Sequence, residues 1–232
     1  MNLKEAMESR HAVREFTEQE IEGNVLSELL SAIEQCNKES ELNIQLCLNE
    51  PHAFSGGSSK NFKNAFNYIA IVGKKGGKLE EKGGYYGQKI VLKAQQLGLN
   101  TCWVYMTYSK GKSDIVVNPG EKIVIVIAIG YGKTQGKERK SKTALDVSNA
   151  DANSPEWFVN GVKAALLAPT AVNQQKFRFI LQEDGDTVRE TSGFGFCTKI
   201  DLGIAKYQFE IGAGDANFKW AGELENPNLI VV

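Results

Sequence analysis

The sequence predicts an α+β fold in which mixed β-sheets are flanked by helices and the chain forms two pseudo-symmetric halves. Helix-like and strand-like segments alternate along 232 residues, and 42% hydrophobic content is enough to bury a sizeable core. An almost continuous apolar run at residues 122–130 is typical of a central strand covered on both faces. A helix followed by a strand also recurs in the second half with the same internal spacing.

The internal repeat defines the predicted halves. Leu29 lies 15 residues before Ile44, and Val162 lies 15 residues before Phe177. In each half, two glycines eleven residues apart then bracket an amphipathic segment. We therefore predict halves at residues 1–149 and 150–232 that together form one compact unit.

The individual elements follow from local patterns. A short helix precedes Ser9, and Thr17 with Glu20 forms a capping box that predicts the start of a second helix. Periodicity predicts further strands at residues 44–48, 68–73 and 177–181, a helix opened by the glycines at 83–87, and a helix at 157–167. Residues 55–61 are rich in glycine and serine and resemble a mobile loop or lid. Residues 131–145 are basic and loop-like.

Composition excludes several classes of function. Twenty-seven Lys and Arg residues against 28 Asp and Glu give a net charge of -1, which predicts no nucleic-acid partner and no attraction to an anionic membrane. No apolar run approaches the length a bilayer requires, so we expect a cytoplasmic protein. Four scattered cysteines and two histidines favour buried free thiols and argue against a metal site or a Ser-His-Asp triad.

The junction between the helix at 157–167 and the strand at 177–181 has an unusual composition. It reads Ala-Pro-Thr-Ala-Val-Asn-Gln-Gln at residues 168–175, with a proline, a hydroxyl and three consecutive carboxamides. Such groups suit a ligand rich in donors and acceptors but uncharged on that edge. The alternative is a polar loop whose amides satisfy nearby backbone groups.

A basic cluster near the N-terminus suits a phosphate. Arg10, His11 and Arg14 lie within five residues, and in a helix the two arginines would share a face. Lys137 and Arg139 form a second candidate in the basic loop. Ordinary solvation is the alternative for both groups. Cationic anchors for a phosphate and neutral amides for a heterocycle edge are together what flavin mononucleotide (FMN) requires.

The two halves do not carry equivalent groups. Residues 10–14 of the first half are basic, whereas residues 150–154 of the second read Ala-Asp-Ala-Asn-Ser. Residues 168–175 carry the proline and amides, whereas the matching residues 34–41 do not. This asymmetry predicts one site per chain, built from both halves.

These segments resemble motifs of the FMN-dependent nitroreductase superfamily. Residues 9–16 are similar to its N-terminal arginine motif, and residues 168–175 are similar to its Pro-Ser-x-x-Asn-x-Gln motif. Residues 87–103 resemble its late helix with the ending Leu-Gly-x-x-Thr-Cys-Trp, and residues 130–139 resemble its closing Gly-Tyr and basic pair. The asparagine motif is displaced to the second half, as in the TM nitroreductase subgroup, so the resemblance implies a fused dimer that acts as a monomer.

The resemblance also implies an activity and a set of site residues. We expect an FMN-dependent oxidoreductase that uses NADH or NADPH to reduce an electron-poor small-molecule acceptor, such as a nitroaromatic or quinone, by ping-pong hydride transfer. An FMN-binding carrier or sensor without turnover is the alternative, and a domain that has lost flavin is a third. Flavin chemistry needs no catalytic side chain. The implied FMN-binding residues are Arg10, His11, Arg14, Tyr105, Met106, Lys137, Arg139, Pro169, Thr170, Ala171 and Asn173.

Overall fold

The computed structural model describes residues 1–54 and 61–224 and divides into two compact units, the first ending at Glu138 and the second beginning at Arg139. The internal repeat in the sequence predicts a division between residues 149 and 150. Of the predicted loop or lid at residues 55–61, all but Asn61 lies outside the described residues.

The first unit combines three helices with a four-stranded sheet, and α1 packs on α3. All three strand pairings are antiparallel, and the strand order is β1-β2-β4-β3, so the apolar run at 122–130 is a central strand as predicted. Strand β2 is buried at every position except its last. The elements are α1 (Leu3–Ser9), α2 (Gly23–Ser40), β1 (Asn43–Cys47), β2 (Asn67–Lys74), α3 (Leu79–Gln96), β3 (Asn100–Val104), a 3-10 turn (Lys110–Lys112) and β4 (Glu121–Gly130).

The predicted start of α2 is wrong. The helix begins at Gly23 with Glu22 as its N-cap. The backbone N–H of Thr17 instead donates to the carbonyl of Tyr131 at 2.7 Å. This tertiary hydrogen bond holds residue 17 against the loop that follows β4, and the chain starts the helix only after it has left that contact.

The predicted start of α3 at the glycines is also wrong, because the helix begins at Leu79 and the glycines lie inside it. A Cβ at Gly83 would lie 3.1 Å from Ile71 Cγ2, and one at Gly87 would lie 2.5 Å from the indole of Trp103. These glycines therefore let the helix approach the sheet closely.

The second unit is a smaller α+β assembly. Its sheet has the order β5-β6-β7, in which β5 and β6 are antiparallel and β6 and β7 are parallel. Its core is aromatic, with the ring of Phe209 centred 4.9 Å from Phe179 and 5.2 Å from Trp220. The elements are α4 (Ala144–Val147), α5 (Glu156–Ala165), a 3-10 turn (Ala171–Asn173), β5 (Phe177–Leu181), β6 (Thr187–Ser192), α6 (Thr198–Ala213), β7 (Lys219–Trp220) and α7 (Ala221–Leu224).

Both units share one structural pattern. A helix leads into the first strand of an antiparallel pair in each, α2 into β1 and α5 into β5. The first sheet has four strands and the second three. Internal duplication from a fused dimer stays a hypothesis.

Across residues 1–54 and 61–224, no helix combines the length and apolar character needed to cross a membrane.

Candidate functional site

The arginine segment that follows α1 is extended. Arg10 ends the helix with φ -73° and ψ 116°, Ala12 forms a parallel bridge with Thr101, and the Val13 N–H donates to the Thr101 carbonyl at 3.1 Å. The helical arrangement in which Arg10 and Arg14 would share a face is therefore not adopted. The physical reason is that this backbone forms hydrogen bonds with β3 rather than with itself.

The same segment is held from its other side by the chain around Lys63. The Phe16 N–H donates to the Lys63 carbonyl at 3.0 Å, and the Lys63 N–H donates to the Arg14 carbonyl at 2.9 Å. Val13 and Phe16 are buried beneath. Backbone hydrogen bonds on both sides thus fix the direction in which the arginine side chains leave the segment.

The loop after β4 lies alongside the arginine segment. The Lys133 N–H donates to the Glu15 carbonyl at 3.0 Å. Gly136 has φ +79°, and a Cβ there would lie 2.6 Å from His11 Cβ, so the approach requires glycine. Lys137 follows directly, and the structure therefore brings Lys137 next to the segment that carries Arg10, His11 and Arg14.

Buried Asn100 fixes this arrangement. Its side-chain oxygen accepts from the Gly132 N–H at 3.0 Å, and its Nδ2 donates to Gln135 Oε1 at 3.0 Å. One carboxamide at the start of β3 therefore satisfies groups at two points of the loop, and sequence reasoning missed it.

The cations of these two segments differ in exposure. Arg10 is 2% exposed, whereas Arg14 and Lys137 are exposed to solvent. Burial raises the pKa of the Cys102 thiol, and the charges of Arg14 and Arg10 act in the opposite direction, so both guanidinium groups lie within electrostatic range of that thiol. Within the described part of the chain, the side chains of Arg14 and Lys137 have no hydrogen-bond or ion-pair partner. They are available to an anion.

Tyr105 and Met106 follow β3 and are 46% and 74% exposed. They border a cleft of about 580 Å³ that also contains the Lys122–Glu80 ion pair, 3.0 Å between Nζ and Oε1. Thr101 contacts the arginine segment, and Tyr105 lies four residues further along the strand, a path of roughly 13 Å. The structure therefore places Tyr105 and Met106 toward the other end of β3 from the basic residues.

In the second unit, the predicted motif forms a single strained turn. Ala171–Asn173 is one 3-10 turn, and Val172, Asn173 and Gln175 have φ of 46°, 56° and 44°. The left-handed region is unusual for residues other than glycine and is a genuine outlier for β-branched valine. Strain of this kind often marks a functional segment.

The polar side chains of the turn, exposed and buried, form hydrogen bonds within the second unit. Thr170 Oγ1 accepts from the Gln175 N–H at 3.1 Å, and exposed Asn173 donates from Nδ2 to the Lys140 carbonyl at 2.8 Å. Gln174 donates to Asp201 Oδ2 at 2.7 Å, and buried Gln175 accepts from the Lys142 N–H at 2.7 Å. The alternative in which the amides satisfy nearby backbone groups therefore describes part of the bonding of all three carboxamides, Asn173, Gln174 and Gln175.

Asp201 on α6 is a site residue that sequence reasoning missed. Its carboxylate accepts from the Ala171 N–H at 3.0 Å and from Gln174 Nε2 at 2.7 Å. Asp201 is buried, with 3% of its surface exposed. Burial raises its pKa to about 6, although both hydrogen bonds act to lower it. A carboxylate between Ile200 and Leu202 was the only available sequence signal.

Arg139 has partners at the end of α5. Its Nη2 donates to the carbonyls of Leu166 at 3.3 Å and Ala168 at 2.5 Å. Burial lowers its pKa. A guanidinium at a helix C-terminus satisfies orphan carbonyls and complements the helix dipole. Arg139 thus has a structural function that Lys137 lacks.

A family model described as "Putative TM nitroreductase" matches residues 2–213. The chain belongs to this nitroreductase family. The predicted resemblance is therefore confirmed.

Solved structures of nitroreductases share the fold. A Thermotoga maritima nitroreductase is 23% identical, with a TM-score of 0.62, over 90% of this chain and 82% of that chain. A Desulfovibrio desulfuricans nitroreductase, solved in complex with FMN, is 14% identical, with a TM-score of 0.51, over 63% of this chain and 95% of that chain. No sequence among the curated proteins matches this chain significantly.

In this nitroreductase-family chain, the predicted site residues therefore belong to two groups. The first unit holds Arg10, His11, Arg14, Tyr105, Met106 and Lys137, and the second holds Arg139, Pro169, Thr170, Ala171 and Asn173. Their assignment to a cofactor stays a prediction. Among the residues that the structure describes, no cluster of three or more His, Cys, Asp or Glu is placed to hold a metal ion.

Proposed function

We propose that the protein is an FMN-dependent oxidoreductase that takes electrons from NADH or NADPH and passes them to an electron-poor small-molecule acceptor. The observation that carries the proposal is the pair of uncommitted, exposed cations, Arg14 and Lys137, on two segments that are bonded side by side. A related fold in Desulfovibrio desulfuricans was solved with FMN, which supports the choice of cofactor.

The donor set of the first unit fits a flavin phosphate. Arg14 offers a planar fork for charge-assisted hydrogen bonds, and Lys137 offers a mobile point charge. Buried Arg10 adds a positive charge in a region where water screens it weakly. Because the backbone of residues 12–16 is hydrogen-bonded on both sides, the main chain that carries Arg14 needs little reorganisation when the phosphate binds.

The second unit contributes neutral groups. Thr170 has a hydroxyl that can donate while its oxygen accepts from Gln175, and Asn173 has an exposed carboxamide. Both suit the polar edge of a flavin ring, and Pro169 and Ala171 would pack beside it. Tyr105 and Met106 of the first unit are exposed and remain in the proposed set of flavin-binding residues. When bound, FMN would supply hydride acceptance from NAD(P)H and electron transfer to the acceptor.

Affinity for FMN tests the proposed residues. We expect Arg14→Ala, Lys137→Ala and Asn173→Ala each to weaken binding by about 10- to 100-fold, since each removes a polar partner worth about 1–3 kcal/mol. Flavin fluorescence titration measures the change. Lys38→Ala, an exposed lysine on α2, is the matched control and should leave the affinity unchanged.

Asn173 needs one additional control because it also donates to the Lys140 carbonyl. Thermal unfolding of the flavin-free variant shows whether the fold is retained. Unchanged affinity in both Arg14→Ala and Asn173→Ala would contradict the proposed residues.

Turnover is tested separately from binding. Under anaerobic conditions, NADH or NADPH should bleach the flavin absorbance near its oxidised maximum, and adding a nitroaromatic or quinone should restore it. A colourless protein that takes up no FMN would exclude a flavin function. A yellow protein that neither nicotinamide reduces would exclude the oxidoreductase and leave a flavin carrier or sensor.

A further inference from the structure

A loop between β6 and α6 presents two phenylalanine rings to solvent. Residues 193–197 read Gly-Phe-Gly-Phe-Cys, and Phe194 and Phe196 are 100% and 52% exposed. Burying a phenylalanine side chain stabilises a folded protein, so a fully exposed ring lacks stabilisation that folding could have provided. Two such rings in one short loop indicate an apolar contact that the described residues of the chain do not make.

The main chain of this loop is firmly held. The Gly193 N–H donates to the Lys176 carbonyl at 2.6 Å, and Lys176 Nζ donates to the Phe194 carbonyl at 2.9 Å. Gln174 Nε2 donates to the Phe196 carbonyl at 3.0 Å. The backbone under both rings is therefore bonded to the residues that follow the Pro-Thr-Ala-Val-Asn turn, while the rings themselves remain outside.

The Gln174 carboxamide connects the loop to that turn. Gln174 donates to Asp201 as well as to the Phe196 carbonyl, and Asp201 also accepts from the Ala171 N–H. Val172, in the same turn, is 81% exposed. The exposed apolar side chains thus belong to the same hydrogen-bonded assembly as the residues proposed to contact the flavin ring.

The surroundings of the rings restrict the ligand chemistry. A phenylalanine face is electron-rich, and an electron-poor planar ring stacks on it favourably. Lys176 and Lys199 are exposed near the loop and favour an anionic substituent on the same molecule. An aromatic ring that bears electron-withdrawing and anionic groups satisfies both conditions.

We propose that Phe194 and Phe196 form the binding subsite for a planar, electron-poor aromatic acceptor. The proposal rests on the flavin-dependent function proposed above and names the residues that select its acceptor. The two rings are binding residues and take no part in electron transfer.

Acceptor kinetics test the subsite. In Phe194→Ser, Phe196→Ser double-variant protein loaded with FMN, we expect KM for a nitrobenzoate to rise about 10-fold, because both stacking contacts are lost. Reduction of ferricyanide, which has no ring to stack, should be unchanged, as should affinity for FMN. Leu145→Ser, an exposed leucine of the same unit at 72%, is the matched control, and Phe194→Tyr should restore the wild-type KM.

A binding measurement separates this proposal from the proposed function. Oxidised protein without nicotinamide cannot turn over, so calorimetric titration with the nitrobenzoate reports the subsite alone. We expect wild-type protein to bind and the double variant to lose about 10-fold in affinity. If NADH and NADPH fail to reduce the flavin but this difference persists, the oxidoreductase function fails and the subsite stands.

Two results would overturn the subsite. The first is equal nitrobenzoate affinity and equal KM in the wild type and the double variant. The second is sedimentation of wild-type protein, but not of the double variant, with anionic lipid vesicles while acceptor kinetics stay equal, which would assign the rings to a membrane surface.

Discussion

Asp201 makes the stability of the second unit depend on pH. Its pKa is about 6 in the folded chain, against 3.8 for an unperturbed carboxyl. Because the folded state binds the proton more tightly, the contribution of Asp201 to stability is fully present below pH about 3.8 and is lost as the pH rises through about 6. The raised pKa corresponds to about 3 kcal/mol across this range.

We expect Asp201→Asn to remove this dependence. Relative to wild type, the variant should gain up to about 3 kcal/mol in unfolding free energy between pH 4 and pH 7, because its neutral amide carries no charge to bury. Urea unfolding at both pH values measures the difference. A difference that does not change with pH would show that the Asp201 carboxylate is not held in this buried setting.

Val172 is expected to be a destabilising residue. It adopts φ 46° and is 81% exposed. The strained backbone therefore lowers stability, and burial of the side chain does not offset this cost. Val172→Asn should raise the unfolding free energy by about 1 kcal/mol, since asparagine tolerates the left-handed region. The same change at Val116, which is 59% exposed and outside the left-handed region, should have little effect. Equal effects at both positions would argue against local strain.

Part of the candidate site could be predicted from the types of residue in the sequence. Arg14 and Asn173 stand out by chemistry and local spacing, and the structure leaves both exposed. Asp201 and Asn100 do not stand out, because their importance comes from hydrogen bonds to segments about 30 residues away. Nothing local marks such a partner.

At the level of elements, α5 and α6 pack through a contact without room for a side chain. A Cβ at Gly212 would lie 2.4 Å from Ala164 Cβ and 2.5 Å from the Asn160 carbonyl oxygen. Gly212→Ala should therefore lower the unfolding free energy by about 1–3 kcal/mol, because the clash includes backbone that cannot rotate away. Thermal unfolding measures the loss.

Gly77→Ala is the control for this helix contact, since a Cβ there would meet nothing within 4 Å. It should leave the melting temperature nearly unchanged. A Gly212→Ala variant as stable as this control would contradict the close approach of the two helices.

The elements that sequence predicted best are those with strong periodicity. Strand β4 and helix α5 follow from their apolar patterns, and both are present. The errors lie where tertiary contacts decide the local structure. Residues 10–14 are extended because β3 offers hydrogen-bond partners, and Gly83 lies inside α3 because the sheet leaves no space for a side chain.

At the level of the whole molecule, we predict one FMN per chain. The exposed cations Arg14 and Lys137 belong to the first unit, and the strained turn with Asn173 belongs to the second, so neither unit carries a full set of groups. Flavin absorbance after denaturation of saturated protein gives the stoichiometry. Two FMN per chain would contradict a single asymmetric site.

The four thiols differ in burial, and Cys197 of the second unit is the most accessible to a thiol-reactive reagent. Burial raises the pKa of Cys36 and Cys47 to about 11 and raises that of Cys102 as well, and all three side chains are buried. Cys197 is half-buried and directly follows Phe196. Because reactivity follows access and thiolate content, a maleimide dye should label Cys197 first. The native chain thus carries a built-in attachment point for a fluorophore that reports ligand arrival beside Phe196 without any engineered cysteine.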